Sequence, residues 1–139
     1  MTELGIVDRV LETNAEAVKD ADLVILCIPV GACGPVAEEI APFLKPGAIV
    51  SDVGSVKGAI VREMAPHLPQ GVHFVPAHPV AGTEHSGPDS GFAELFINRW
   101  CILTPPDGAD PMAVETLRAF WAGMGAKVEI MTPDHHDLV

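Results

Sequence analysis

The chain has 139 residues, 48% of them hydrophobic, with 8 Lys and Arg against 19 Asp and Glu for a formal net charge of −11. That is one domain's worth of chain, and with a mean hydropathy of +0.30 it is too apolar for a disordered segment. The acid excess, with no basic cluster to offset it, argues against nucleic acid as a partner. No apolar run approaches the roughly 18 residues of a membrane span, and no basic-then-apolar leader opens the chain, so a cytoplasmic setting without membrane contact is expected.

In chain order, Asn14 is placed to cap a short helix over Ala15 to Asp20. Leu23 to Ile28 follows, six consecutive apolar residues closed by Pro29, which predicts a strand buried on both faces. Within that run Cys27 is read as a small buried hydrophobe; Cys27, Cys33 and Cys101 form no C-x-x-C pair, so no disulfide framework is expected. Gly31 and Gly34 loosen the next stretch, and Pro35 is placed to begin a helix to about Leu44, stopped by Pro46-Gly47. A second strand, Ala48 to Ser51, runs into Asp52-Val53-Gly54-Ser55, and a helix from Val56 to about His67 follows.

His73 to Ala77 reads as a third strand ending in His78-Pro79, and residues 79–92 as an ordered loop. Trp100 to Leu103 is a fourth strand. Pro111 starts a helix whose apolar positions Val114, Leu117, Phe120, Trp121 and Met124 recur at helical spacing. Lys127 to Met131 is a last strand, and Pro133 opens another helix. The alternation of strands and helices with short connectors predicts an α/β fold with a mainly parallel sheet. Ligands of such folds bind at the carboxyl ends of the strands. Here those ends carry Ile28-Pro29-Val30, Asp52-Val53-Gly54-Ser55 and His78-Pro79.

Five segments bear a further pattern: Asp22 to Val30, SDVGSVKG over Ser51 to Gly58, HPVAGTEHSG over His78 to Gly87, RWCILTP over Arg99 to Pro105, and DHHDLV over Asp134 to Val139. In order and spacing they resemble the prephenate/arogenate (cyclohexadienyl) dehydrogenase family. The most specific part is GSVK followed by HP-x-AGTE, with His78 standing 23 residues after Ser55. The resemblance implies a Rossmann-like, doubly wound dinucleotide-binding domain. It also implies oxidative decarboxylation of prephenate or arogenate, with hydride passing to NAD or NADP, in tyrosine biosynthesis. His78 matches the catalytic histidine that takes the ring-hydroxyl proton, and Ser55 the serine between that histidine and the nicotinamide. Thr83 and Glu84 match the loop over the substrate. Ile28, Pro29 and Val30 match the stretch beside the cofactor, where Gly54 lets the backbone pass close.

The resemblance further implies residues 1–133 as a partial dinucleotide-binding domain and 134–139 as the start of a helical substrate and dimerisation domain. No G-x-G-x-x-G occurs, and Gly31-Ala32-Cys33-Gly34 is only G-x-x-G. The glycine loop is therefore expected before Met1, and the helical domain of a homodimer, with the substrate-binding arginine, after Val139. The isolated chain is expected to be inactive.

Without the family, simpler readings compete. His78 could be a turn residue, Ser55 a helix N-cap, Lys57 a solvated or structural charge, and Glu84 a loop carboxylate. His135 and His136 are neighbours whose side chains diverge on a helix, and His73, His78 and His85 match no zinc spacing, so no metal is expected. Asp52, Ser55 and His78 lack the G-x-S-x-G elbow of a hydrolase triad. The functional alternatives are another hydroxyacid dehydrogenase, or a non-catalytic truncated remnant that binds a ligand or partner without turnover.

Overall fold

The computed structural model describes residues 5–81 and 91–139. The chain folds as α1 (Asn14–Val18), β1 (Leu23–Leu26), α2 (Val30–Ile40), β2 (Ile49–Asp52), α3 (Lys57–Met64), β3 (His73–Phe74), β4 (Ala77–Pro79), β5 (Trp100–Leu103), α4 (Pro111–Gly123), β6 (Lys127–Ile130) and α5 (Pro133–Leu138). Single 3-10 turns, Ala41–Phe43 and Ala65–His67, extend α2 and α3. Among the described residues no helix is long and apolar enough to cross a membrane.

β1, β2 and β3 pair in parallel, with Leu26 opposite Asp52 and Val50 opposite Phe74. The expected third strand is split. Pro76 has no N–H to give a ladder, and the chain kinks there into β4, which pairs antiparallel with β5. β5 then pairs in parallel with β6. Backbone bonds cross the kink, Val75 N donating to the Val50 carbonyl at 3.0 Å and Thr104 N to the Pro76 carbonyl at 3.0 Å. The two three-stranded pieces thus run on from one another as a mainly parallel, Rossmann-like sheet with one antiparallel pair. His78 consequently lies inside β4, opposite Ile102, and not just beyond a strand.

Successive side chains of a strand point to opposite faces, and the sheet has a core on each. Val24, Val50 and Phe74 pack with Cys33, Ala37 and Ile40 of α2 and Ile60 and Met64 of α3. Ile49, Val75, Cys101 and Leu103 pack with Ala113, Leu117 and Trp121 of α4.

Four expectations change. β1 stops at Leu26, where its partner β2 also ends, so Cys27 is exposed and no buried hydrophobe. α2 starts directly after Pro29 and runs through Pro35. Pro35 sits on the solvent side, while Cys33, Gly34, Ala37 and Ile40 bury the opposite stripe, whose packing outweighs the one lost backbone bond. α2 and α3 approach closely at Gly34, where a Cβ would stand 3.3 Å from Cβ of Glu63 on α3. Finally, Thr13 caps α1 in place of Asn14, whose amide instead donates to Glu39 at 2.8 Å.

Candidate active site

The carboxyl rim of the sheet is built on a buried ion pair. Lys57, the first residue of α3, and Asp52, the last of β2, have fully buried side chains joined at 2.6 Å. Asp52 accepts from Gly54 N at 2.9 Å and Ala77 N at 3.2 Å, while the Lys57 ammonium also donates to the Ala77 carbonyl at 2.7 Å. Burial pulls the Lys57 ammonium below its ordinary range and Asp52 pushes it back. Lys57 is therefore structural and not solvated: it ties the end of β2 to the start of β4, one residue before His78. As an ion pair the two charges cancel, so the pair offers little to a ligand's charge.

The second feature is the cap of α3. Read without the family, Ser55 is an N-cap, but the cap position is Val56, whose side chain accepts no helix N–H. The Asp137 carboxylate does so from α5, accepting from Lys57 N at 2.9 Å and Gly58 N at 2.8 Å. A carboxylate at a helix N-terminus satisfies orphan donors and meets the positive end of the dipole. Those bonds, chiefly that from Lys57 N, lower the Asp137 pKa to about 2. Gly58 leaves room for this approach, since a Cβ there would fall 2.8 Å from the Asp137 carboxylate and one of the two would have to shift. α5 is held in place by its own N-terminus, where the Thr132 hydroxyl accepts from His135 N at 3.2 Å.

Docked in this way, α5 presents His136 to β4. His136 is 6% exposed; its Nε2 stands 2.9 Å from Nδ1 of His78, and its Nδ1 stands 2.9 Å from Asp137 Oδ1. The two imidazoles meet edge to face with centroids 5.1 Å apart. Burial first, then His136, lowers the pKa of His78. At neutral pH His78 is thus predominantly the free base, the state that can take a proton.

A cavity of about 560 Å³ opens over this cluster, lined by Ser55, Val56, His78, Val80, Trp100, Ile102, His136, Asp137 and Val139. Its volume lies within the range of small-ligand sites. Val56, Val80 and Trp100 keep large apolar surfaces exposed along its walls, Trp100 at 51%. No Lys or Arg lines it among the described residues.

Of the residues singled out from sequence, the structure brings Ser55 and His78 to this one cavity, with no hydrogen bond between them among the described contacts. Ile28, Pro29, Val30 and Gly54 do not line it. They follow the ends of β1 and β2, where Leu26 and Asp52 lie side by side. Gly54 is explained locally, since a Cβ would meet the Asp52 carboxylate at 3.0 Å and Val30 at 3.1 Å. Thr83 and Glu84 lie outside the described residues. Asp52 serves Lys57 and not His78, so no hydrolase triad forms. No group of three potential metal ligands occurs among the described residues. Sequence reasoning gave no role to His136 and Asp137. The Thr132-Pro133 helix start was the available signal, but only the docking of α5 shows which face is buried.

Residues 1–130 match the family described as prephenate dehydrogenase, nucleotide-binding domain. The chain is 43% identical over 136 residues to a cyclohexadienyl dehydrogenase of Zymomonas mobilis, covering 98% of this chain and 46% of that protein. The fold superposes on the Aquifex aeolicus prephenate dehydrogenase in complex with hydroxyphenyl propionate and NAD+ with a TM-score of 0.89 at 34% identity, over 98% of this chain and 47% of that one. The arogenate dehydrogenase of Synechocystis gives 0.83 at 35% identity, over 89% and 44%. The chain thus spans less than half the length of these relatives.

Proposed function

Because the chain belongs to the prephenate dehydrogenase family, through its nucleotide-binding domain, we propose that it carries the proton-transfer half of an NAD(P)-dependent dehydrogenase acting on prephenate or arogenate. The observation that supports this most is His78. It is a largely neutral base at the carboxyl rim of a Rossmann-like sheet, in a cavity with Ser55 and apolar walls.

Dehydrogenating a carbinol carbon needs a base for the hydroxyl proton, and decarboxylation then makes the ring aromatic. His78 takes that proton. The Ser55 hydroxyl hydrogen-bonds the same oxygen and holds it against the base. Val56, Val80, Trp100 and Ile102 receive the ring and keep water from it. When bound, the cofactor accepts the hydride. Its nicotinamide end would lie on the shelf formed by Ile28, Pro29, Val30 and Gly54 after β1 and β2. The fit is good in one respect: the shelf follows two adjacent parallel strand ends and bears no bulky charged side chain.

A substrate carboxylate needs a positive partner. That partner would come from the remainder of the complete protein, for which residues 134–139 open a helical, homodimeric substrate domain. Thr83 and Glu84 are assigned to closing over the substrate. The direct test is to assay the complete protein with prephenate and arogenate against NAD and NADP. Turnover of at least one acid with one cofactor is expected, and failure of all four pairings would overturn the proposal.

A further inference from the structure

We propose that His136 and Asp137 are positioning residues that hold the neutral His78 ring as its Nδ1–H tautomer and thereby leave the Nε2 lone pair free for the substrate hydroxyl. This rests on the reading of His78 as the base, but the hydrogen-bond logic is independent of the substrate.

Asp137 accepts two backbone N–H groups of α3 and is ionised throughout the neutral range. An ionised carboxylate can only accept. At 2.9 Å, His136 Nδ1 must therefore carry the proton between them. Above the histidine titration range an imidazole protonated on one nitrogen is bare on the other, and in that state His136 Nε2 is an acceptor. It stands 2.9 Å from His78 Nδ1, which must then be the N–H. His78 Nε2 is left as the lone pair, with no hydrogen-bond partner among the described residues, beside a cavity that Ser55 shares. In the reaction the substrate O–H bond breaks, its proton forms the Nε2–H bond, and the electron pair stays on the oxygen to become the carbonyl as hydride departs.

The opposite polarity would disable the site. Were His136 to carry its proton on Nε2, it would donate to His78 Nδ1 and leave His78 protonated on Nε2, with no lone pair free for the substrate hydroxyl. The Asp137 carboxylate forbids that state, because it would place two acceptors against each other. The other charges near His78 are Lys57 of α3 and Asp52 of β2, which are paired to each other. A carboxylate that orients a histidine, which in turn orients the base, has the logic of a hydrolytic triad with one ring inserted.

The test uses the complete protein. Nitrogen–proton spectra of the imidazole rings, taken well above the histidine titration range, read the tautomer of each histidine, with His78 and His136 assigned from their variants. His78 is expected as Nδ1–H, and finding it as Nε2–H would overturn the proposal. His136→Phe keeps a ring against His78 but removes the acceptor. Its kcat should fall about 10–100-fold, the usual weight of a residue acting through another, with KM little changed and the His78 tautomer no longer fixed. His136→Gln supplies an amide oxygen near the lost Nε2 and should restore both the tautomer and most of kcat. A His136→Phe protein with parental kcat would overturn the proposal. So would a loss of kcat in His136→Phe with the Nδ1–H tautomer of His78 intact. If that variant does not fold, the parent spectrum and His136→Gln still decide. If the parent turns over neither acid, the functional reading fails, and the parent spectrum alone tests the tautomer.

Discussion

The interior of the sheet and its carboxyl rim are adjacent on β2 and are held together in different ways. Ile49 and Val50 each enter one of two apolar cores, where many neighbours share the contact. Two residues on, Asp52 enters a chain of specific polar bonds through Lys57, Ala77 and Gly54. The rim continues from α3 through Asp137 and His136 to His78. Apolar contacts degrade gradually, because dispersion is spread over many weak contacts. A buried polar chain fails at a link, because each lost partner leaves a desolvated group unsatisfied. The molecule thus places a tolerant interior beneath an intolerant rim, and the proposed chemistry lies on the rim.

The largest effect expected from breaking the rim is on activity. In the complete protein, His78→Asn should lower kcat by about 10²–10⁴-fold, the usual weight of a positioned base, with a much smaller change in substrate affinity. Because burial lowers the His78 pKa, the acid limb of kcat/KM in the parent should fall on the acid side of 6.5, the value of an ordinary imidazole. A variant with near-parental turnover, or a limb on the alkaline side of that value, would remove His78 from the role of base.

The next effect is on stability. Lys57→Met leaves the Asp52 carboxylate buried without its partner and should cost about 3–5 kcal/mol in denaturant unfolding. Replacing Asp52 by Asn in the same protein should recover part of that loss, since the uncompensated charge is then gone. A cost below about 1 kcal/mol for Lys57→Met would mean that water reaches the pair.

Gly58→Ala sharpens the contrast because intrinsic helix propensity predicts the opposite sign. Inside a helix, alanine is favoured over glycine by about 1 kcal/mol. Here the added Cβ meets the Asp137 carboxylate at 2.8 Å, so a net loss of about 1–3 kcal/mol is expected as α5 is forced away. Release of α5 should also lower activity by withdrawing His136. Stabilisation with unchanged activity would show that the α3–α5 contact is dispensable. The smallest effect belongs to the interior. Ile60→Val, in the core between β2 and α3, should cost only about 0.5–1.5 kcal/mol and leave turnover near parental. A larger loss there than at Lys57 would reverse the comparison.

Much of this was legible from residues alone, because the signals are local. The run from Leu23, the four residues from Trp100, and the helix opened by Pro111 each carry their own period or start signal, and the structure has an element at each. That Ser55 lies just after β2 followed from the alternation of elements, whereas His78 was expected beyond a strand and lies inside β4; the roles proposed for both rest on the GSVK and HP-x-AGTE motifs. Where local signals misled, tertiary packing outweighed them: Pro35 is carried inside α2 by the buried stripe around it, and Cys27 lies just beyond the end of its strand.

What only the tertiary structure decided is the wiring of the rim. Asp137 caps a helix that begins 80 residues earlier, and His136 reaches a histidine 58 residues away. In sequence, Ser55 precedes the helix and is the natural cap, Lys57 is an ordinary charged residue, and His135 and His136 are equivalent neighbours. None of these readings can be corrected locally, because a hydrogen bond depends on which donor and acceptor the packing brings within about 3 Å. Periodicity and motifs determined most of the strands and helices and singled out Ser55 and His78. The docking of α5 against α3 decided which histidine is buried, which carboxylate fixes its proton and toward what His78 is turned.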